Sequence, residues 1–275
     1  MPFSFIYYAL FFCIGLSLAF CTQQPPTAPM EKKALLPGEF PPNLIATNVA
    51  ITNLHCWREQ GVFFVTGICD NNTDNWQKIW LRMAPMDSTG QSIPVNNAPN
   101  AVFSSFSEAV PPRGRTSFFY GWKITDFAGM PDSARVFVAG AEPRAPGAVI
   151  ITQETSGVRM MVTDNPDHLQ EVGWQCSWVM NNPLEIPAIH PRTEILLYGT
   201  DNRLWLAMVL NQEDTQPRLF ITVDGEGPLK AQEKRHLDCK MFYDHLPARL
   251  KEIKIGKVEF LSFDARDAGV APPSK

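Results

Sequence analysis

Residues 49–69, VAITNLHCWREQGVFFVTGIC, decide the fold class. Two runs rich in β-branched and aromatic residues, 49–57 and 62–69, flank the polar turn Arg58-Glu59-Gln60-Gly61. Such runs suit a pleated, half-buried surface, and a short glycine-bearing link between them reads as an antiparallel hairpin. With Trp57 facing Val62 across that hairpin, Cys56 faces Phe63. The same short-period pattern predicts strands over 79–86, 101–109, 116–124 and 134–140, with Asp87-Ser88-Thr89-Gly90 carrying turn chemistry. Beyond a linker at 141–148 (AEPRAPGA) it resumes over 148–152, 157–163, 172–180, 193–199, 203–210, 217–223 and 235–242. The run 251–263, KEIKIGKVEFLSF, holds one parity at Ile253, Ile255, Leu261 and Phe263 but breaks it at Val258 and Phe260, which predicts a bend or bulge at Gly256.

Composition agrees with an all-β chain. There are 24 prolines in 275 residues, against a usual share of about 5%, and proline breaks helix interiors. The aromatic content of 11% exceeds what a disordered chain carries. A formal charge of -4 lacks the basic face that nucleic acid requires, so no nucleic-acid partner is expected.

The first twenty residues, MPFSFIYYALFFCIGLSLAF, carry no charged side chain, and the first charge of the chain is Glu31. An apolar run from Phe3 to Phe20 approaches the length that crosses a bilayer. Three readings fit: a secretory signal peptide, a lipoprotein signal with Cys21 as the acylated residue, and an uncleaved anchor. Leu18-Ala19-Phe20-Cys21 resembles a bacterial lipobox, with Phe20 where a small residue is expected. All three place the body outside the cytoplasm, and the lipoprotein and anchor readings hold it to a membrane through a lipid or an anchor. The expected organisation is a signal or anchor over 1–20, a Pro-rich spacer over 21–43, β-sandwich domains over 44–142 and 149–264, and a disordered tail over 265–275.

The two halves read as repeats. Asn71-Asn72 matches Asn181-Asn182, Asp87 matches Asp201, and Asp126 matches Asp244, at offsets of 110, 114 and 118 residues. The final strands ARVFV and KEIKI close each half. This order of strands and turns resembles the FxLYD-type immunoglobulin-like domain of bacterial envelope proteins. The likeness rests on Asn71-Asn72, Met86-Asp87 with Gly90, Val110-Pro111-Pro112-Arg113-Gly114 and Ser117-Phe118-Phe119, and in the second half on Asn181-Asn182 and Leu197-Tyr198-Gly199-Thr200-Asp201. It covers roughly 46–140 and 155–263 and implies two immunoglobulin-like β-sandwich domains in tandem, in an exported protein without catalytic residues.

Candidate sites are few. Cys56, Cys69, Cys176 and Cys239 remain once Cys13 and Cys21 are assigned to the signal and its lipid. In an oxidising compartment Cys176 and Cys239 are the pair expected to bridge two sheets, in the manner of the immunoglobulin cross-link; otherwise all four are buried free thiols. No CxxC or HExxH spacing occurs, and His236, Asp238, Asp244 and His245 read as a solvated turn, so neither metal nor cofactor is expected. There is no GxSxG run, and Glu154, Asp164, Glu185, Glu194 and Asp201 give no basis for pairing two acids. Of seven tryptophans, Trp76 follows a polar loop and is the candidate ligand-binding aromatic. The leading expectation is a non-enzymatic exported envelope protein, a lipoprotein on the Cys21 reading, that binds, adheres or scaffolds through an envelope protein or glycan partner. The alternatives are a carbohydrate-binding module of a surface polysaccharide system and a hydrolase with an unrecognised site.

Overall fold

The structure, a computed structural model, describes residues 48–96, 101–147, 150–162, 170–210, 227–242 and 247–264. The hairpin expected over residues 49–69 is present: β1 (Val49–Glu59) pairs antiparallel with β2 (Val62–Asn71). Its turn is shorter than expected. Gln60 and Gly61 alone form it, at φ 47° and 78°. Two left-handed residues in succession match the twist of the flanking strands, so Arg58 and Glu59 stay in the ladder. Trp57 therefore faces Phe64 and Cys56 faces Val65, two residues from the register read off the sequence.

Four further strands complete the first half: β3 (Gln77–Met86), β4 (Ala101–Ser104), β5 (Arg115–Lys123) and β6 (Ser133–Pro143). The second half contains β7 (Ile151–Val162), β8 (Glu171–Asn181), β9 (Pro191–Gly199), β10 (Leu204–Leu210), β11 (Lys234–Phe242) and β12 (Ile255–Asp264). The chain is all-β. Its strands form four three-stranded antiparallel sheets, in the orders β1-β2-β5, β4-β3-β6, β11-β8-β7 and β10-β9-β12. The two expected strands over 148–152 and 157–163 are one strand, β7, interrupted by register shifts. The strand expected over 101–109 stops at Ser104, and that over 251–263 begins only at Ile255, after a 3-10 turn at Ala248–Lys251. The bulge expected at Gly256 is found as a register shift between Ile255 and Lys257. A Cβ there would lie 2.9 Å from the Thr200 Cα, so the close approach of two backbones requires glycine. The expected strand 217–223, the segment 1–43 and the tail 265–275 lie outside the described residues.

The halves have the same topology strand for strand, and two of their turns share several hydrogen bonds. Asn71 Nδ2 donates to the carbonyls of Asn75, Val110 and Pro111, and Asn182 Nδ2 donates to those of Ile186, Leu229 and Lys230. Asn71 N–H donates to Gly114 O as Asn182 N–H donates to Glu233 O. Asp87 N–H to Gln91 O and Gly90 N–H to Asp87 O are repeated as Gly199 N–H to Arg203 O and Asn202 N–H to Gly199 O. The repeat is thus real but aligns differently from the sequence match: Asn71 corresponds to Asn182 and Asp87 to Gly199. Asn202, at φ 60°, takes the left-handed position that Gly90 holds at φ 81°. The closing strands that correspond are β6 and β12, so the ARVFV–KEIKI match is displaced.

Each half packs its two sheets face to face. Phe63, Val65 and Cys69 of β2 and Phe118 of β5 meet Ile79, Leu81 and Met83 of β3 in the first core. Trp174, Cys176 and Trp178 of β8 meet Ile195 and Leu197 of β9 and Phe260 of β12 in the second. Gly67 permits the first: a Cβ on it would fall 2.5 Å from Phe118 Cζ.

Candidate functional site

The two halves are joined by a buried junction. On β9 the odd residues Ile195 and Leu197 face the second core, while Leu196 and Tyr198 lie in a separate cluster with Leu204, Ala207 and Ile68 of β2. Both faces of β9 are therefore covered, which explains an uninterrupted run of buried residues from Thr193 to Gly199. The sheet β1-β2-β5 of the first half supplies one wall, and β10-β9-β12 of the second supplies the other.

Glu194 sits in this wall at 0% exposure. Its Oε1 accepts from Thr116 Oγ1 at 2.6 Å, and its Oε2 accepts from Ser117 N–H at 2.6 Å and Ser117 Oγ at 2.5 Å. Burial pushes its pKa up to about 7, against the opposing pull of these hydrogen bonds and of Arg115. At the rim Arg115 Nη1 reaches Glu259 Oε1 at 2.8 Å, and Glu259 Oε2 accepts from Tyr198 OH at 3.1 Å. Burial and the Glu259 carboxylate raise the Tyr198 pKa.

A β-bulge aims β1 into this junction. Thr52 pairs with Ile68 and His55 with Thr66, so Asn53 and Leu54 together oppose Gly67. Asn53 has φ 50°. The extra residue inverts side-chain parity: Val49 and Ile51 pack on the first core before it, and Cys56 after it. His55 and Trp57 thereby turn toward the second half. The His55 ring meets Trp205 edge-on at 4.2 Å and stacks on Trp57 at 5.3 Å, and its Nδ1 lies 3.2 Å from Leu204 O. Leu54 is left 38% exposed at the mouth of a trough of about 390 Å³, whose walls include Cys56, Asp132, Asn202 and Arg203. A second trough of about 470 Å³ runs on from Asp132 past Arg58 to Met130. Burial lowers the His55 pKa and pushes the Cys56 thiol up to about 11. Burial thus works against charge on both groups, the reverse of the thiolate–imidazolium pairing a cysteine nucleophile uses.

The residues singled out from sequence fall elsewhere. Cys21 lies outside the described residues. Cys176 and Cys239 directly oppose each other, but on neighbouring strands of one sheet and as free thiols, not across two sheets. The Cys176 neighbour and burial raise the Cys239 pKa. Trp76 is half-buried. It lines a cavity of about 430 Å³ with Asp74, Arg144 and Pro146, and Arg144 N–H donates to its carbonyl at 3.0 Å. The Trp76 backbone thus ties down the segment leading toward the second half. Asp238 accepts a hydrogen bond from Ser177, and Asp244 and His245 lie outside the described residues. Among the described residues no group of three His, Cys, Asp or Glu side chains is placed to hold a metal ion, and no helix is long and apolar enough to cross a membrane. Sequence reasoning passed over the junction, although a lone glutamate inside the apolar run TEILLYG was its one visible signal.

No family model matches the chain, and no curated protein matches it. Among solved structures, red sea bream transglutaminase is similar at 12% identity and a TM-score of 0.23, over 78% of this chain and 29% of that protein. At that score the likeness carries no argument about fold or chemistry.

Proposed function

We propose that the chain is a non-enzymatic binding or scaffold module of the bacterial cell envelope, exported by its N-terminal segment and lipid-anchored through Cys21. Its halves are, on this reading, tandem domains of the FxLYD type. The observation that carries the proposal is the junction. Two repeats joined through a buried carboxylate and an apolar seam make one continuous platform, and one trough beside the seam is lined by His55 and Cys56. Such a platform suits recognition by surface complementarity.

Expression of the full chain in a bacterial envelope, with detergent-phase partitioning and mass spectrometry of the mature N-terminus, tests the anchor. The expected product begins at an acylated Cys21 and enters the detergent phase. A water-soluble product beginning at any other residue overturns the lipoprotein reading. Binding of the purified chain to a glycan array would select the carbohydrate-binding reading over the protein-partner reading.

A further inference from the structure

The internal repeat shows which face of the first half corresponds to the covered face of the second. In the second half the outer face of β10-β9-β12 is covered by the first half. The corresponding face of the first half belongs to β4-β3-β6 and has no such cover among the described residues. Strand register gives the correspondence. Glu194 pairs with Leu261 and Leu196 with Glu259 on β9 and β12, as Arg82 pairs with Phe137 and Ala84 with Arg135 on β3 and β6.

Both acidic positions of the buried face are thus arginines on the open one. Neither Arg82 nor Arg135 forms an ion pair among the described residues; the Arg82 guanidinium lies 5.7 Å from the Phe137 ring centre. Phe137 is 41% exposed, and Trp80, Met86 and Val102 share the face, each half-buried. Apolar side chains around two unpaired guanidinium groups suit an interface core, whereas a solvated sheet face normally alternates to polar residues.

The packing of the halves is head to tail, which by itself would allow copies to stack without limit. The surface of the second half that would make the next contact is β11-β8-β7. It has Gln175, Ser177 and Asp238 where the first half has Phe64, Thr66 and Phe119, and Lys234 where the first half has Arg115. Lys234 would meet Arg135, since Arg115 meets Glu259 in the junction. Like charges in place of a salt bridge act against a second copy.

We propose that the outer face of β4-β3-β6 docks a different protein, through an apolar surface that carries carboxylates opposite Arg82 and Arg135. The proposal rests on the binding-module reading and names the surface that serves it. The test uses the full chain in cells that make it, with the photo-crosslinking residue p-benzoylphenylalanine in place of Phe137, or, for comparison, of Leu54. The expected result is a crosslink from position 137 to an acidic region of another protein, identified by peptide mass spectrometry. R82E/R135E lowers its yield by about tenfold or more. Crosslinks to lipid, to residues 1–47 of the same chain or to a second copy overturn the proposal, as does a protein crosslink indifferent to R82E/R135E. A crosslink at 54 with none at 137 overturns the surface and leaves the binding module standing; none at either overturns both. Sedimentation of the purified chain adds a check: wild type is expected to be monomeric, and self-association abolished by R82E/R135E refutes the choice of partner.

Discussion

Replacing Glu194 by glutamine should make the chain more stable at pH 8 and leave it little changed at pH 4.5 and below. The carboxylate has an ordinary pKa of 4.5 and is raised to about 7 by burial in the junction. A raised acid favours the folded state in its protonated form, so the contribution is fully present below pH 4.5 and is lost as pH rises toward about 7. One pH unit corresponds to about 1.4 kcal/mol, so ionisation in this site costs on the order of 3 kcal/mol. The group is 0% exposed, and solvent offers no screening to discount. The glutamine side chain of Glu194→Gln would retain an acceptor for Ser117 N–H and Ser117 Oγ, and Thr116 Oγ1 could turn to accept from the new amide. Guanidinium unfolding, followed by fluorescence of Trp57 and Trp205 beside the junction, should be measured from pH 4.5 to 8 for both chains. Arg115, Asp70, Glu259 and Tyr198 are common to both, so the difference profile isolates Glu194. A gain at pH 8 of about 1–3 kcal/mol, shrinking to about a few tenths of a kcal/mol at pH 4.5, is the expected result. Parallel profiles would refute the assignment of the raised pKa to this carboxylate and its burial.

Three further outcomes follow from the packing. Asn71→Ala and Asn182→Ala should each cost about 2–4 kcal/mol in urea unfolding, because each strips several buried carbonyls of a donor; a loss under about 0.5 kcal/mol at either would break the equivalence of the two turns. Gly67→Ala should cost about 1–3 kcal/mol by driving a methyl into the Phe118 ring, and a neutral effect would mean the ring moves aside freely. Cys69, Cys176 and Cys239, all buried and free, should resist iodoacetamide in the native chain and label fully in denaturant. Persistent non-labelling of Cys176 and Cys239 in denaturant without reductant would reveal a disulfide instead.

Local physics was legible in the sequence, and relations between distant segments were not. The hairpin at 49–69 and the bulge at Gly256 are written in residue type and parity, because strand geometry depends on neighbours along the chain. The duplication was visible too, yet its alignment slipped. Asn71 corresponds to Asn182, and Asp87 to Gly199, because side-chain bonds to Val110 or Leu229 define the equivalence, and those partners lie far along the chain. Cys176 and Cys239 oppose each other, but within one sheet, because that relation depends on the pairing of β8 with β11. Tertiary structure alone decided the role of Glu194. Its polarity predicts an exposed residue, and only the packing of one half on the other supplies Thr116 and Ser117 to hold it in place. The sequence by itself determined an all-β chain built twice; the tertiary structure decided that the two copies are fused through one face, since a buried charge is tolerable only where a second surface brings it donors.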